Sequence, residues 1–169
     1  MRYLLLLATG ALLVVLETSV APYVVIQGVK PDLVVILVVL VGMLYGWRDA
    51  AIVGVVTGFV EDACSGQFLG LFMLTRAIVG IAAGVSYARV FQDRVVVPVA
   101  LAFLGTVIGG SLHIFLLSSF GAHLPLSIAT LRAVFGQALY SAALAPILLG
   151  VVTRLDLYAR RMAERRQAL

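Results

Sequence analysis

Two adjacent carboxylates, Glu61 and Asp62, lie between two apolar runs, and they constrain the fold more than any other feature of this sequence. The stretch from Gly54 to Leu71 that contains them also carries two glycine pairs at a spacing of four, Gly54/Gly58 and Gly66/Gly70. In lipid, small residues four apart permit close approach of two backbones, and buried acids need partners. The stretch therefore predicts the turn and packing seam of a membrane helical hairpin.

The composition predicts an integral membrane protein. Of the 169 residues, 63% are hydrophobic and 12% are charged, whereas a soluble domain has about 45–50% apolar and about 25% charged residues. The single cysteine, Cys64, excludes an internal disulfide, and no Cys/His spacing suggests a metal site. Phosphate-binding, hydrolase and metalloprotease motifs are absent from the sequence, so we expect neither an enzyme nor a cofactor.

The apolar pattern predicts an all-α domain over residues 1–153, a compact bundle of six transmembrane helices. The predicted spans are about 3–21, 32–47, 49–63, 68–88, 95–120 and 127–153. The third is the weakest, because only residues 50–60 are free of charge and runs of about 10–14 are often re-entrant. Residues 154–169 form a basic tail with five arginines, which we expect to lie against anionic headgroups.

The cations predict the orientation of this bundle. With six spans, one side collects Arg2, Arg48, Arg89, Arg94 and the tail arginines, while the loops of the other side contain only Lys30. The positive-inside rule then places both termini in the cytoplasm. An odd number of spans would divide the arginine loops between the two sides.

The charged residues inside the spans all fall toward the outer half of the bilayer: Glu17, Asp32, Glu61, Asp62, Arg76 and Arg132. A lone arginine at the depth of Arg76 costs at least about 2–3 kcal/mol, so its side chain should point inward to a carboxylate. Asp62 and Glu61 are nearest in sequence, and Glu17 is the rival. The cluster Glu17, Glu61, Asp62 and Arg76 is interpreted as a structural ion pair, with partner or ligand binding and ion relay as alternatives.

His113 shares a helical face with Gly109, Gly110 and Thr106. A face with two glycines is expected to pack, so we expect His113 to bond a neighbouring helix; a ligand or proton-transfer role is the alternative. Glycine pairs at a spacing of four recur along the predicted spans. Most of them should serve packing inside the bundle, while the grooves beside one or two of them remain for a helix of another protein.

Several short motifs resemble those of the rod-shape-determining MreD family. They are Pro31-Asp32-Leu33 before the second span, Gly58-Phe59 followed by Asp62, Ser65-Gly66, Leu69-Gly70-Leu71 and the late-span Pro146. The resemblance extends over nearly the whole chain in length, span count and basic tail. Glu61 beside Asp62 departs from the single acid of the family pattern.

The resemblance implies a non-enzymatic scaffold of the elongasome in the bacterial inner membrane. Such a protein binds the bitopic protein MreC, and through it a RodA-type glycosyltransferase, a class B penicillin-binding transpeptidase and MreB filaments, and so supports lateral peptidoglycan synthesis and cell shape. On this hypothesis a groove lined by Gly54, Gly58, Gly66 and Gly70, together with the charged cluster, receives the transmembrane helix of MreC.

Two other function classes stay open. The six-helix arrangement of the MreD family is similar to that of the substrate-binding subunits of energy-coupling-factor vitamin transporters, which implies a solute-binding transporter subunit as the alternative. The short outer loops, with few aromatic or hydrogen-bonding groups, argue against it. A membrane-embedded enzyme would have only Asp62, Glu61 and His113 as candidate groups.

Overall fold

The computed structural model describes residues 2–20, 29–66, 68–87, 96–120 and 128–167. In these ranges the chain forms six helices, in agreement with the all-α prediction. They are α1 (Arg2–Val20), α2 (Leu33–Tyr45), α3 (Trp47–Ser65), α4 (Leu71–Tyr87), α5 (Val96–Ser119) and α6 (Ile128–Gln167). Each helix overlaps one of the predicted spans. The loop arginines Arg89 and Arg94 lie outside the described residues.

Helix α2 is the centre of the bundle. Every side chain from Val34 to Val41 is fully buried, and the helix contacts α1, α3, α4, α5 and α6. A helix that is hydrophobic on all sides must be enclosed on all sides. The dense Val/Leu sequence of α2 therefore explains why the other helices surround it.

The surrounding helices expose large aliphatic side chains on their outer faces. Examples from four of them are Leu12, Leu74, Leu104 and Leu139, which are between 48% and 68% exposed. By length and composition, α5 and residues 130–154 of α6 are able to cross a membrane. Extensive exposed apolar surface of this kind is typical of proteins that contact a membrane or a partner.

Helices α3 and α4 form the predicted hairpin and share the most extensive contact in the bundle. A Cβ on Gly54 would lie 2.7 Å from the carbonyl oxygen of Arg76, and one on Gly58 would lie 2.6 Å from the Cα of Met73. Only glycine permits backbones to approach so closely. The groove that was expected to receive another protein's helix is therefore filled by α4 of the same chain.

Gly66 and Gly70 serve the turn instead of a packing groove. Gly66 ends α3 with φ 62°, in the left-handed region, and its N–H donates to the carbonyl of Asp62. Gly70 precedes α4 with φ 103°, and a Cβ on either glycine would meet no atom within 4 Å. These conformations favour glycine for backbone reasons. Both glycines therefore act in the turn between α3 and α4, where no helix of this chain packs against them in the described residues.

Two helices are longer than the predicted spans. Helix α3 has 19 residues, which at 1.5 Å per residue is about 28 Å and close to the thickness of a hydrocarbon core. Helix α6 has 40 residues and contains Pro146. It continues beyond residue 153 to Gln167, so the backbone has no break at the predicted start of the basic tail.

We predict that Gly58→Ala destabilises the bundle, because the added methyl group overlaps the backbone of α4. Overpacking of this kind costs about 1–3 kcal/mol. Gly150→Ala in α6 is the matched control, since a Cβ there meets nothing within 4 Å. Thermal unfolding of the purified proteins in detergent should show a lower midpoint for Gly58→Ala alone. Equal midpoints would contradict the close-packed seam.

Candidate functional site

Four buried charged residues from four helix ends lie together in the described part of the chain. Glu17 lies near the end of α1, Asp32 precedes α2, and Glu61 lies near the end of α3, while Arg76 is in the first half of α4. All four residues are buried. The end of α1 thus meets the start of α2, and the end of α3 meets the first half of α4.

Arg76 is the centre of this cluster and is only 4% exposed. Its Nε donates to Glu61 Oε2 at 2.8 Å and its Nη2 donates to Glu61 Oε1 at 2.9 Å, a bidentate pair. Its Nη1 donates to Asp32 Oδ2 at 2.7 Å. Charge-assisted bidentate pairs are among the strongest hydrogen bonds in proteins. The expectation of an inward-facing ion pair agrees with this geometry, and Glu61 is the sequence neighbour that provides it.

Asp32 joins Arg76 to two further elements. Its Oδ1 accepts a hydrogen bond of 2.8 Å from the N–H of Val35, so that the residue caps α2. Its own N–H donates to Ser141 Oγ in α6 at 2.9 Å. Helix α2 begins at Leu33 because Asp32 takes the capping position, and Pro31 lies just before the cap.

Glu17 also stabilises the start of α2. Its Oε2 accepts hydrogen bonds from the N–H groups of Leu33 and Val34, at 3.1 and 3.3 Å. These are among the N–H groups that a helix start leaves without intrahelical partners, and a negative charge there also interacts favourably with the helix dipole. Glu17 therefore contributes to the cluster through backbone donors, and α2 begins between two carboxylates.

Asp62 is not a partner of Arg76. Its carboxylate accepts hydrogen bonds from the N–H groups of Gly70, Phe72 and Met73, at 2.9, 3.0 and 3.2 Å. Adjacent helical residues point about 100° apart, so only one member of the acidic pair is able to face Arg76. Of the two acids named as candidate partners of Arg76, Glu61 forms the ion pair and Asp62 caps α4.

A cavity of about 200 Å³ lies beside the buried cluster. Its charged lining consists of Glu17, Asp32, Glu61, Arg76 and Lys30. The other lining residues are Phe72, Thr75, Gly109, Gly110, His113 and Gln137. The sequence identified His113 and the two glycines as one face, but it assigned no role to Phe72, Thr75 or Gln137. For α6, the sequence signal that could have been used is Gln137, a polar side chain within the apolar part of the helix.

His113 forms one wall of the cavity by stacking on Phe72. The ring centroids are 4.3 Å apart with an interplanar angle of 25°. Among the described residues, Nδ1 of His113 is buried and has no hydrogen-bond partner. The contact of His113 with a neighbouring helix is thus a ring stack on Phe72 of α4. The Nδ1 atom remains available for a hydrogen bond to another group. A buried polar atom without a partner requires an explanation.

Other predicted residues do not join the site. Arg132 is exposed on α6, and Pro146 lies farther along the same helix without lining the cavity. Within the described ranges, no group of three His, Cys, Asp or Glu side chains is arranged to hold a metal ion. The arrangement offers fixed charges, hydrogen-bonding groups and an aromatic wall, which suit recognition of a small molecule.

A helical bundle with exposed apolar faces and a small polar cavity is an architecture found among membrane proteins that bind small molecules. The model of the family "ECF transporter, substrate-specific component" matches residues 5–153. The chain therefore belongs to the family of ECF transporter substrate-specific components, and it is a membrane protein. No curated protein and no solved structure matches the chain.

The family match overturns the interpretation based on the resemblance to MreD. The chain is a transporter component, so the scaffold function in cell elongation and the partners MreC, RodA, the transpeptidase and MreB were wrong. The short motifs that carried the resemblance have structural roles here: Asp32 and Asp62 are helix caps, and Gly66 is a helix C-cap. The alternative of a solute-binding transporter subunit is the one that agrees with the family.

We predict that Arg76→Met strongly destabilises the protein, because Glu61 and Asp32 lose their shared cation while they remain buried. Removal of one partner of a buried ion pair typically costs about 3–5 kcal/mol. Arg132→Met is the matched control, since that side chain is exposed. Thermal unfolding in detergent should show a large drop for Arg76→Met and little change for Arg132→Met. Similar midpoints for both variants would show that the ion pair does not stabilise the bundle.

Proposed function

We propose that this chain is the solute-binding subunit of an ECF-type transporter and that it holds its substrate in the cavity beside Arg76. The observation that carries the proposal is His113 Nδ1, a buried polar atom without a partner in the described structure, on the wall of a polar cavity. Membership of the substrate-specific family supports the same function. The role is binding and delivery, with no chemical conversion of the solute.

In this proposal residues 1–153 cross the membrane six times, both termini are cytoplasmic and the cavity lies in the outer half of the bilayer. The convergence of alternate helix ends on the cavity supports an up-and-down arrangement. The excess of arginines in loops and tail on the opposite side supports the orientation. Residues 154–169 continue α6 on the cytoplasmic side as a basic tail.

The fixed charges of the site suit it to binding. Arg76, Glu61 and Asp32 already satisfy one another, so the wall that they form does not have to rearrange when a solute enters. A preorganised wall reduces the entropy cost of association. The cavity is smaller than the pockets of about 300–1,000 Å³ that hold drug-sized ligands, so the solute is compact.

The partners follow from the family. Substrate-specific components assemble with the ATPase and transmembrane components of an ECF transporter, and we propose that this chain delivers its solute to such a module. The described faces of α1, α3, α4 and α5 are rich in exposed aliphatic side chains, which supports contacts with lipid or with another membrane subunit. The long glycine seam of α3 is unavailable for this purpose because α4 covers it.

The test is to identify what the purified protein carries. We expect a single small solute to co-purify with the wild-type protein from cells grown in rich medium, and mass spectrometry of the extract will identify it. His113→Phe keeps the ring stack on Phe72 but removes Nδ1, so the affinity for the solute should fall about tenfold, the effect of one lost hydrogen bond.

Ser111→Ala is the control, because this residue is exposed on the same helix. It should retain the solute. The proposal is contradicted if the wild-type protein carries no solute and the small-molecule fraction of the medium does not raise its melting temperature. Equal retention by His113→Phe would place the solute elsewhere.

A further inference from the structure

The geometry points to a compact organic cation, with a positively charged nitrogen and no carboxylate, as the solute of this cavity. This inference rests on the proposed function, because it names the chemical class that the same site selects. It follows from the way in which the charges around the cavity are already paired.

Arg76 is the obvious receptor for an anionic solute, but its charge is already engaged. Nε, Nη1 and Nη2 all donate to carboxylates, two of them to Glu61 and one to Asp32. A guanidinium that is held by two carboxylates offers no net positive charge to a third. A solute carboxylate beside Arg76 would therefore be repelled by the two carboxylates of Glu61 and Asp32 and attracted by only one cation.

Over the whole lining of the cavity, carboxylates also outnumber cations. Three carboxylates and two cations border the cavity, and one of the cations, Lys30, is exposed to solvent. Glu17 is the carboxylate that no cation holds by a hydrogen bond among the described contacts; its Oε2 accepts from the backbone of α2 instead. Burial disfavours an ionised carboxylate that lacks a cation, and a positive charge beside Glu17 stabilises the ionised form. Glu17 therefore favours a positively charged group in the cavity over a negatively charged one.

The lining of the same cavity also includes a hydrogen-bond acceptor, His113. His113 Nδ1 is buried without a partner in the described structure, and a neutral imidazole protonated at Nε2 accepts at Nδ1. One face of the Phe72 ring stacks on His113, and the guanidinium carbon of Arg76 lies 5.4 Å from the ring centroid. Carboxylate and imidazole thus provide two acceptors, which match the N–H groups of a protonated amine or a related nitrogen cation.

The test uses three probes with one ring and different charge: benzylammonium, benzyl alcohol and benzoate. Their dissociation constants for the purified wild-type protein in neutral detergent are to be measured by calorimetry at low salt. We expect benzylammonium to bind at least about tenfold more tightly than benzoate, with benzyl alcohol between them, because opposite charges attract and like charges repel across a few ångströms.

Two variants separate charge from shape. Glu17→Gln keeps an oxygen that accepts from the start of α2 but removes the charge, and it should weaken benzylammonium binding about tenfold. Lys30→Gln removes a charge of the opposite sign at the same cavity and should strengthen benzylammonium binding, because the repulsion between two cations is lost. Loss of binding in both variants would show that the effect is not electrostatic and would overturn the inference.

The remaining outcomes distinguish this inference from the proposed function. If benzoate binds as tightly as benzylammonium or more tightly, the cation class is wrong while solute binding in the cavity stands. If none of the three probes binds, the cation class is also wrong, and the co-purified solute decides the proposed function independently. A co-purified solute that carries a carboxylate and no cationic nitrogen would overturn the inference as well.

Discussion

The ion pair between Arg76 and the carboxylates of Glu61 and Asp32 is the interaction on which the arrangement of the bundle depends. A guanidinium buried to 4% exposure is tolerated only where acids reach it. The partners come from α3 and from the start of α2, and Asp32 is bonded in turn to Ser141 of α6. Glu17 of α1 caps the same end of α2. Five helix segments are therefore fixed at one end of the molecule by a single connected set of polar contacts, and the cavity is the space that they enclose.

The glycine seam makes this ion pair possible. Arg76 reaches Glu61 because α3 and α4 lie very close together, and one point of close approach is at Arg76 itself, whose carbonyl oxygen faces Gly54. A side chain at Gly54 would move α4 outward and lengthen the contact between Arg76 and Glu61. Asp62 contributes from the other side, because it fixes the start of α4 through three N–H groups. Backbone packing and charge pairing thus depend on each other along the same pair of helices.

The sequence was sufficient to predict six helices, the hairpin at Gly54–Leu71 and an inward-facing Arg76, because apolar length and the cost of a buried charge are local properties. It was not sufficient to choose between Glu61 and Asp62, since that choice depends on the rotation of α3. The sequence also did not identify Asp32 as a partner of Arg76, because these two residues are 44 positions apart in the chain and meet only in the folded bundle. Phe72 and Gln137 could be recognised as site residues only from the structure, which places them in the lining of the cavity. The assignment to the MreD family was wrong because the motifs behind it consist of residues that are common in the caps and turns of helical membrane proteins.

The residues around the cavity divide into two groups with different consequences for specificity. Arg76, Glu61, Asp32 and Glu17 hold the helices together, so a change that removes one of their contacts alters the bundle and the cavity at the same time. Lys30, His113 and Gln137 line the cavity without belonging to that connected set of contacts. If the cavity holds the solute as proposed, substitutions at these three positions are expected to change which solute binds, because they leave the contacts among Arg76, Glu61, Asp32 and Glu17 in place. The charged framework would then stay constant while the other walls of the cavity set the specificity.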